Sequence, residues 1–91
     1  MIKHLNINIR GRVQGVSFRF QTRQRALELG LVGFVRNEAD SETVYIEAEG
    51  ETEPLEEFLD WCRRGPDYAA VGAVVSEEGK LRKFSGFRVE L

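Results

Sequence analysis

The sequence predicts an α+β fold with the element order β-α-β-β-α-β and a short extra strand at its C-terminal end. Two patterns support this prediction. Apolar and polar residues alternate in several short segments, as they do in strands with one buried face, and apolar residues recur at helical spacing over residues 55–62. This element order is typical of the ferredoxin-like sandwich, in which a mostly antiparallel sheet carries two helices on one face.

The first 37 residues hold three predicted elements, namely a strand over about 3–12, a helix over about 19–30 and a strand over about 31–37. In the first strand, Leu5, Ile7 and Ile9 alternate with polar residues, which indicates one buried and one exposed face. The helix is predicted to end at Gly30, because glycine readily takes the left-handed conformation that follows many helices.

The second helix is predicted between Thr52 and the Gly65-Pro66 pair. Its apolar residues fall at the spacing i, i+3, i+4 and i+7, at Leu55, Phe58, Leu59 and Cys62. Thr52 is expected to cap its start. Arg63 and Arg64 carry positive charge at the negative end of the helix dipole, which favours the helix ending there.

Three further strands are predicted, over about 43–49, 70–77 and 85–91. The first of these places two sets of residues on opposite faces, Val44, Ile46 and Ala48 on one and Tyr45, Glu47 and Glu49 on the other. The last is expected to place Phe87, Val89 and Leu91 on one face.

The composition indicates a single globular domain over residues 1–91. Hydrophobic residues make up 42% of the chain and charged residues 31%, close to globular averages. No apolar run is long enough for a transmembrane helix, so we expect no membrane partner. The N-terminal residues lack the apolar core of a signal peptide, which favours a cytoplasmic protein. The only cysteine, Cys62, excludes an internal disulfide, and it is expected to be a core residue.

The net charge of −2 conceals a strong asymmetry along the chain. Residues 1–36 carry seven lysines and arginines against one acid, Glu28. Residues 37–91 carry six basic residues against fourteen acidic ones. An anionic ligand is therefore expected to be attracted to the first third of the chain.

The segment between the first strand and the first helix has the features of a phosphate-binding loop. It reads Gly11-Arg12-Val13-Gln14-Gly15-Val16-Ser17-Phe18-Arg19. A glycine-bearing turn at a helix N-terminus presents backbone N–H groups to an anion, and the helix dipole adds to the attraction. Arg19 contributes a permanently charged, fork-shaped donor that suits phosphate oxygens.

The predicted topology brings a second segment to this loop. In the ferredoxin-like arrangement the first two strands are parallel, and the third strand lies antiparallel between them. The carboxyl ends of the first two strands then lie at the same edge of the sheet, about 10 Å apart across two strand spacings. Asn37 ends the second strand at that edge, and we therefore expect it to share a site with residues 11–19.

These two segments resemble the two-part signature of the acylphosphatase family. The first part matches residues 11–19, the second matches Gly33-Phe34-Val35-Arg36-Asn37, and the likeness extends to Phe84-Ser85-Gly86-Phe87. The resemblance implies a ferredoxin-like enzyme that hydrolyses the mixed anhydride of a carboxylic acid and phosphate, without metal or cofactor. It implies that Arg19 binds the phosphate and that Asn37 holds the attacking water. It also implies a loop that wraps the phosphate, formed by Gln14, Gly15, Val16, Ser17, Phe18 and Arg19.

The turn after Asn37 departs from the family pattern. The family usually has Asn-x-x-Asp-Gly-x-Val at this point, whereas this chain reads Asn37-Glu38-Ala39-Asp40-Ser41-Glu42-Thr43-Val44. The glycine is missing and one residue is added. The sequence therefore leaves the conformation of residues 38–43 open, although both proposed functional residues are in place.

The chemistry of these residues favours the same reaction. They supply an arginine, backbone donors and an amide, but no general base, and His4 at the far end of the first strand is expected to be a surface residue. An acyl phosphate expels a carboxylate, whose conjugate acid has a pKa of about 4, so the leaving group needs no proton at neutral pH. Catalysis then requires only that the phosphate is held, its charge stabilised and a water oriented.

Two other functions fit the same element order. RNA-binding modules stack bases on exposed aromatic residues, but Tyr45 is flanked here by Glu47 and Glu49, whose charges repel a nucleic-acid backbone, so we expect no nucleic-acid partner. An acylphosphatase-like domain can also handle carbamoyl phosphate within a larger enzyme. Because the chain ends at Leu91 without a cysteine-rich extension, we expect a free-standing enzyme. We expect it to be a monomer. The acyl group of the substrate stays open.

Overall fold

The computed structural model describes residues 1–91 and contains five strands and two helices. They are β1 (Ile2–Arg12), α1 (Phe18–Glu28), β2 (Val32–Asn37), β3 (Thr43–Glu51), α2 (Thr52–Arg64), β4 (Ala70–Gly79) and β5 (Phe87–Val89). The strands form one sheet in the order β4-β1-β3-β2-β5. Every neighbouring pair is antiparallel except β2 and β5, which are parallel. The predicted ferredoxin-like α+β fold is confirmed.

The core lies between one face of the sheet and both helices. Its centre consists of fully buried side chains from β1 and β3, such as Ile7 and Ile46, which pair with each other in register. Phe18 of α1 and Phe58 of α2 cover them, and both lie against Trp61. Cys62 is fully buried, as predicted, and burial raises the pKa of its thiol. Neither helix is long and apolar enough to cross a membrane.

Three details at the ends of elements differ from or sharpen the predictions. Gly30 follows α1 with a φ of 72°, the left-handed conformation predicted for it. Thr52 was expected to cap α2, and that prediction is wrong because Thr52 is already helical and its hydroxyl donates to the Met1 carbonyl at 3.0 Å. The prediction for Leu91 is also wrong. β5 pairs only with Gly33–Val35, and Leu91 lies beyond this pairing, fully exposed.

The face of the sheet opposite the helices is covered at one end by residues 80–86. Phe84 stacks on His4 with ring centroids 5.7 Å apart, and the backbone N–H groups of Arg82 and Lys83 donate to the Glu49 carboxylate at 2.7 and 2.9 Å. His4 is therefore only 1% exposed, and the prediction of a surface histidine is wrong.

The two carboxylates expected on this exposed face are also buried. Glu47 and Glu49 are 8% and 5% exposed. The His4 ring lies between them, with Nδ1 2.9 Å from Glu49 and Nε2 2.9 Å from Glu47. Glu47 also accepts a hydrogen bond from the Tyr45 hydroxyl at 2.8 Å, and Glu49 accepts the two backbone N–H groups named above. The negative charge expected to repel a nucleic acid is therefore not displayed on the surface.

Candidate active site

The loop between β1 and α1 turns through two left-handed residues. Gly15 has a φ of 76° and Ser17 a φ of 63°. A Cβ at position 15 meets no atom within 4 Å, so glycine is needed there for its backbone conformation and not for space. The loop is anchored on either side by Val13 and Phe18, each 1% exposed. Residues 14–17 are thereby held across the end of the sheet between two fixed points.

This turn leaves a row of backbone donors free. α1 begins at Phe18, and neither Ser17 nor any other side chain caps it. The N–H groups of residues 14–20 donate to no backbone or side-chain acceptor of the protein. Unpaired N–H groups at a helix N-terminus carry partial positive charge, which makes this loop able to bind an anion.

Gln14 connects the loop to the turn that follows β2. Its side-chain amide donates to two backbone carbonyls, those of Glu38 at 2.9 Å and Thr43 at 3.0 Å. The side chain of Gln14 is thus used within the protein. If this residue takes part in phosphate binding, its backbone N–H is the group available to do so.

The turn over residues 38–43 is held by the carboxylate of Asp40, and Ser41 stands where the family has glycine. The Asp40 carboxylate accepts hydrogen bonds from the Thr43 hydroxyl at 2.6 Å and from the N–H groups of Glu42 and Thr43 at 2.9 Å. The Thr43 hydroxyl and then the Glu42 N–H hold the pKa of Asp40 below its ordinary value. Ser41 takes the left-handed conformation, with a φ of 67°. The turn is therefore defined despite the missing glycine.

Arg19 is the second residue of α1 and is tied to the C-terminal end of the chain. Its Nη1 donates to the Glu90 carbonyl at 2.8 Å, and its side chain is half-buried. The Nε and Nη2 groups make no hydrogen bond to the protein. This single contact fixes the guanidinium and leaves most of its donors available.

Asn37 is the last residue of β2, and its side-chain oxygen has no partner. The Oδ1 atom is buried and accepts no hydrogen bond from any protein group. An unpaired buried carbonyl oxygen costs about 1–3 kcal/mol unless a ligand or water satisfies it. The position of Asn37 therefore favours a partner that comes from outside the protein.

The structure brings the two predicted segments together in one concavity. It has a volume of about 170 Å³ and lies between the loop, the first turn of α1 and the end of β2. Both Arg19 and Asn37 belong to its lining. The complete lining is Val13, Gly15, Ser17, Phe18, Arg19, Phe20 and Asn37. Gln14 and Val16, the remaining members of the predicted loop, do not line it. We call this concavity the Arg19 pocket.

The charge of the Arg19 pocket suits a single anionic group. Arg19 is the only ionisable residue in its lining. A larger concavity of about 450 Å³ lies on α2, but its lining contains four carboxylates and no cation. Phosphate would be repelled there, so size alone does not identify the site. Nowhere in the chain do three or more His, Cys, Asp or Glu side chains form a group that could hold a metal ion.

Sequence reasoning missed two features of the pocket. The backbone carbonyl of Glu90 fixes Arg19, and no side-chain motif signals a backbone acceptor 71 residues away. Phe20 lines the pocket while 66% exposed. The sequence does contain a signal for Phe20, because this apolar residue directly follows Arg19 and lies outside the apolar stripe of α1.

Comparisons with known proteins match this fold over almost its whole length. The sequence matches the Acylphosphatase family over residues 5–89. An acylphosphatase of Methylococcus capsulatus is 43% identical over 89 residues, which cover 97% of this chain and 96% of the relative. The structure of an acylphosphatase from Coxiella burnetii superposes with a TM-score of 0.94 at 36% identity, covering 98% of this chain and 93% of that one.

The same fold also occurs as one segment of a much longer protein. A crystal structure of full-length HypF, in a phosphate- and nucleotide-bound form, superposes with a TM-score of 0.92 at 30% identity. The match covers 99% of this chain and 12% of HypF.

The fold and the pocket define a small ferredoxin-like protein with a cationic pocket at the end of its sheet. The family match over residues 5–89 and the sequence identity to the Methylococcus capsulatus enzyme identify the family, which the fold alone does not do. The chain belongs to the acylphosphatase family. Its enzyme class is therefore the one predicted, an acylphosphate phosphohydrolase that converts acyl phosphates to a carboxylate and inorganic phosphate.

Proposed function

We propose that hydrolysis takes place in the Arg19 pocket, with the loop and Arg19 binding the phosphate and Asn37 positioning the attacking water. The observation that carries this proposal is the unpaired Oδ1 of Asn37, which is buried and lines the same small pocket as the guanidinium of Arg19. The amide oxygen can accept a hydrogen bond from the attacking water, and the guanidinium can bind the phosphate that this water attacks.

Phosphate binding is assigned to the backbone of the loop Gln14, Gly15, Val16, Ser17, Phe18 and Arg19, together with the Arg19 side chain. The N–H groups of these residues are free, and the dipole of α1 favours an anion at their position. Arg19 can add two parallel hydrogen bonds through donors that the Glu90 carbonyl does not use. Both interactions strengthen as negative charge builds up on the phosphate oxygens in the transition state.

The water is assigned to Asn37 Oδ1. A carbonyl oxygen accepts a hydrogen bond from one water proton and so orients the water oxygen toward phosphorus. The water oxygen forms a bond to phosphorus while the bond from phosphorus to the acyl oxygen breaks, and the carboxylate leaves with that electron pair. The water proton passes to an oxygen of the substrate's own phosphate, because no carboxylate or imidazole lines the pocket.

The leaving group explains why such a pocket suffices. A carboxylate with a conjugate-acid pKa of about 4 departs without a proton at neutral pH, whereas an alkoxide from an ordinary phosphate ester does not. Without a general acid, the pocket is therefore selective for acyl phosphates over phosphate esters. We propose that residues 1–91 carry out this reaction as one domain, since one buried cluster joins both helices to the sheet. The cytoplasmic location, the monomeric state and the independence from metal and nucleic acid are predicted from the sequence and stay predictions.

Replacement of Asn37 by alanine tests the division of roles between binding and water positioning. Because Asn37 Oδ1 makes no hydrogen bond to the protein, its removal should leave folding nearly unchanged. We expect Asn37→Ala to bind inorganic phosphate with an affinity within about 2-fold of wild type while turnover falls on the order of 100-fold. Asn8→Ala, on an exposed position of β1, is the matched control and should change neither quantity.

Phosphate titration by calorimetry and initial rates of phosphate release measure the two quantities separately. A parallel fall of phosphate affinity and turnover in Asn37→Ala would make Asn37 a phosphate ligand or a structural residue. The water-positioning role would then be wrong.

A further inference from the structure

Phe20 is an exposed aromatic side chain at the mouth of the Arg19 pocket. It is 66% exposed, and it lines the pocket together with Arg19 and Asn37. The other two apolar side chains of the lining, Val13 and Phe18, are each 1% exposed and belong to the core. Phe20 is therefore the apolar surface that the pocket offers to a ligand.

Packing within the protein does not account for this phenylalanine. The buried residues of α1 are Phe18, Thr22 and Ala26, each four residues from the next along one face of the helix. Phe20 lies about 200° around the helix axis from Phe18, on the opposite side. The core thus gains nothing from an aromatic residue at position 20, and exposure of a large apolar side chain beside a pocket points to contact with a ligand.

We propose that Phe20 contacts the acyl group of the substrate and makes the enzyme selective for acyl phosphates whose acyl group is apolar. This inference rests on the proposed function, because it takes the phosphate to be held by the loop and Arg19. The pocket, at about 170 Å³, holds the phosphate end, and the acyl substituent then extends toward the open side where Phe20 is exposed. An aromatic or branched aliphatic acyl group covers the phenyl ring and removes apolar surface from water.

The charge of the pocket supports the same substrate class. Arg19 is the only cationic side chain in the lining, so a second phosphate or a carboxylate on the acyl group meets no further cation there. A small polar acyl group, such as carbamoyl, leaves the ring of Phe20 exposed to water. A neutral, apolar acyl group needs no second cation, and it covers the ring of Phe20.

The test compares kcat/KM for benzoyl phosphate and for acetyl phosphate, which share the phosphate and differ in the apolar area of the acyl group. We expect Phe20→Ala to lower kcat/KM for benzoyl phosphate about 10-fold and for acetyl phosphate less than about 2-fold, because only the larger group covers the ring. Phe20→Leu, which keeps an apolar side chain, should retain most of the preference for benzoyl phosphate over acetyl phosphate. Inhibition by inorganic phosphate should be unchanged in both variants.

Leu27→Ala is the matched control for a truncated apolar side chain on the same helix. Leu27 is 47% exposed and lies seven residues beyond Phe20, on the same face but about 10 Å along the axis from the pocket. It should leave kcat/KM unchanged for both substrates. An equal loss for both substrates in Phe20→Ala, or no loss for either, overturns the inference while leaving the proposed function in place. If the wild-type protein hydrolyses neither substrate, the proposed function fails and this inference fails with it.

Discussion

Arg19→Lys separates the geometry of the guanidinium from its charge. In the structure Arg19 has five N–H donors, of which one Nη1 donor is used by the Glu90 carbonyl at 2.8 Å. The remaining donors can form two parallel hydrogen bonds to phosphate while the contact with Glu90 is kept. A lysine ammonium is a single point, so it can occupy the position of one of these bonds but cannot reproduce the fork.

The expected loss follows from this count. Replacing a bidentate, charge-assisted contact by a single one removes about 3 kcal/mol of transition-state stabilisation, which corresponds to on the order of 100-fold in kcat/KM. The assay is the initial rate of phosphate release from benzoyl phosphate, with near-UV circular dichroism to confirm that the variant is folded.

Arg23→Lys is the control for the loss of a hydrogen bond between α1 and the C-terminal segment. Arg23 lies one turn further along α1, and its Nε donates to the Phe87 carbonyl at 2.8 Å, but it does not line the pocket. We expect this variant to lose stability to a similar extent as Arg19→Lys and to keep near-normal kcat/KM. A folded Arg19→Lys protein with near-normal turnover would show that the fork does not hold the phosphate. An equal loss of turnover in both variants would assign the effect to structure.

Two further predictions concern stability. Gly33→Ala places a Cβ against the backbone carbonyl of Glu47 at a φ of 146°, so urea denaturation should show a loss of more than about 3 kcal/mol. Gly30→Ala, with a φ of 72° and no atom within 4 Å, should lose only about 1 kcal/mol. Burial opposes ionisation of Glu49, but hydrogen bonds from Arg82, His4 and Lys83 outweigh it and lower the pKa of Glu49 from 4.5. The ionised Glu49 carboxylate therefore stabilises the fold above the pKa that it has in the unfolded chain. This stabilisation is lost as the pH falls through its lower pKa in the folded protein. Glu49→Gln should be less stable than wild type at neutral pH, and the difference should narrow below pH 4.5; a difference that does not change with pH contradicts this.

Local patterns carried the prediction of the fold and of the site's two segments. Alternation in residues 3–12 and helical spacing from Leu55 to Cys62 depend only on near neighbours, and the resulting element order restricts the topology. Asn37 and Arg19 could be placed in one pocket because parallel strands bring their carboxyl ends to one edge. The structure shows both residues in the lining of one pocket.

Contacts between distant segments could not be read from the sequence. His4 alternates with apolar residues and reads as exposed, but Phe84, 80 residues later, covers it from an irregular segment without periodicity. The turn over residues 38–43 depends on one carboxylate that accepts three hydrogen bonds, which no spacing rule encodes. Thr52 does not cap α2 because the helix already includes it, and its hydroxyl donates instead to the carbonyl of Met1, 51 residues away in the sequence.

Phosphate release by metal-depleted protein tests most directly whether the Arg19 pocket works by positioning alone. The purified chain, treated with a strong chelator, is supplied with benzoyl phosphate in one reaction and phenyl phosphate in another. A carboxylate leaves from the first, whereas a phenolate, whose conjugate acid has a pKa of about 10, leaves from the second. We expect full activity on benzoyl phosphate and no measurable release from phenyl phosphate. Loss of benzoyl phosphate hydrolysis on chelation with recovery on adding a divalent cation, or comparable rates on the two substrates, would contradict hydrolysis by Arg19, Asn37 and the loop alone.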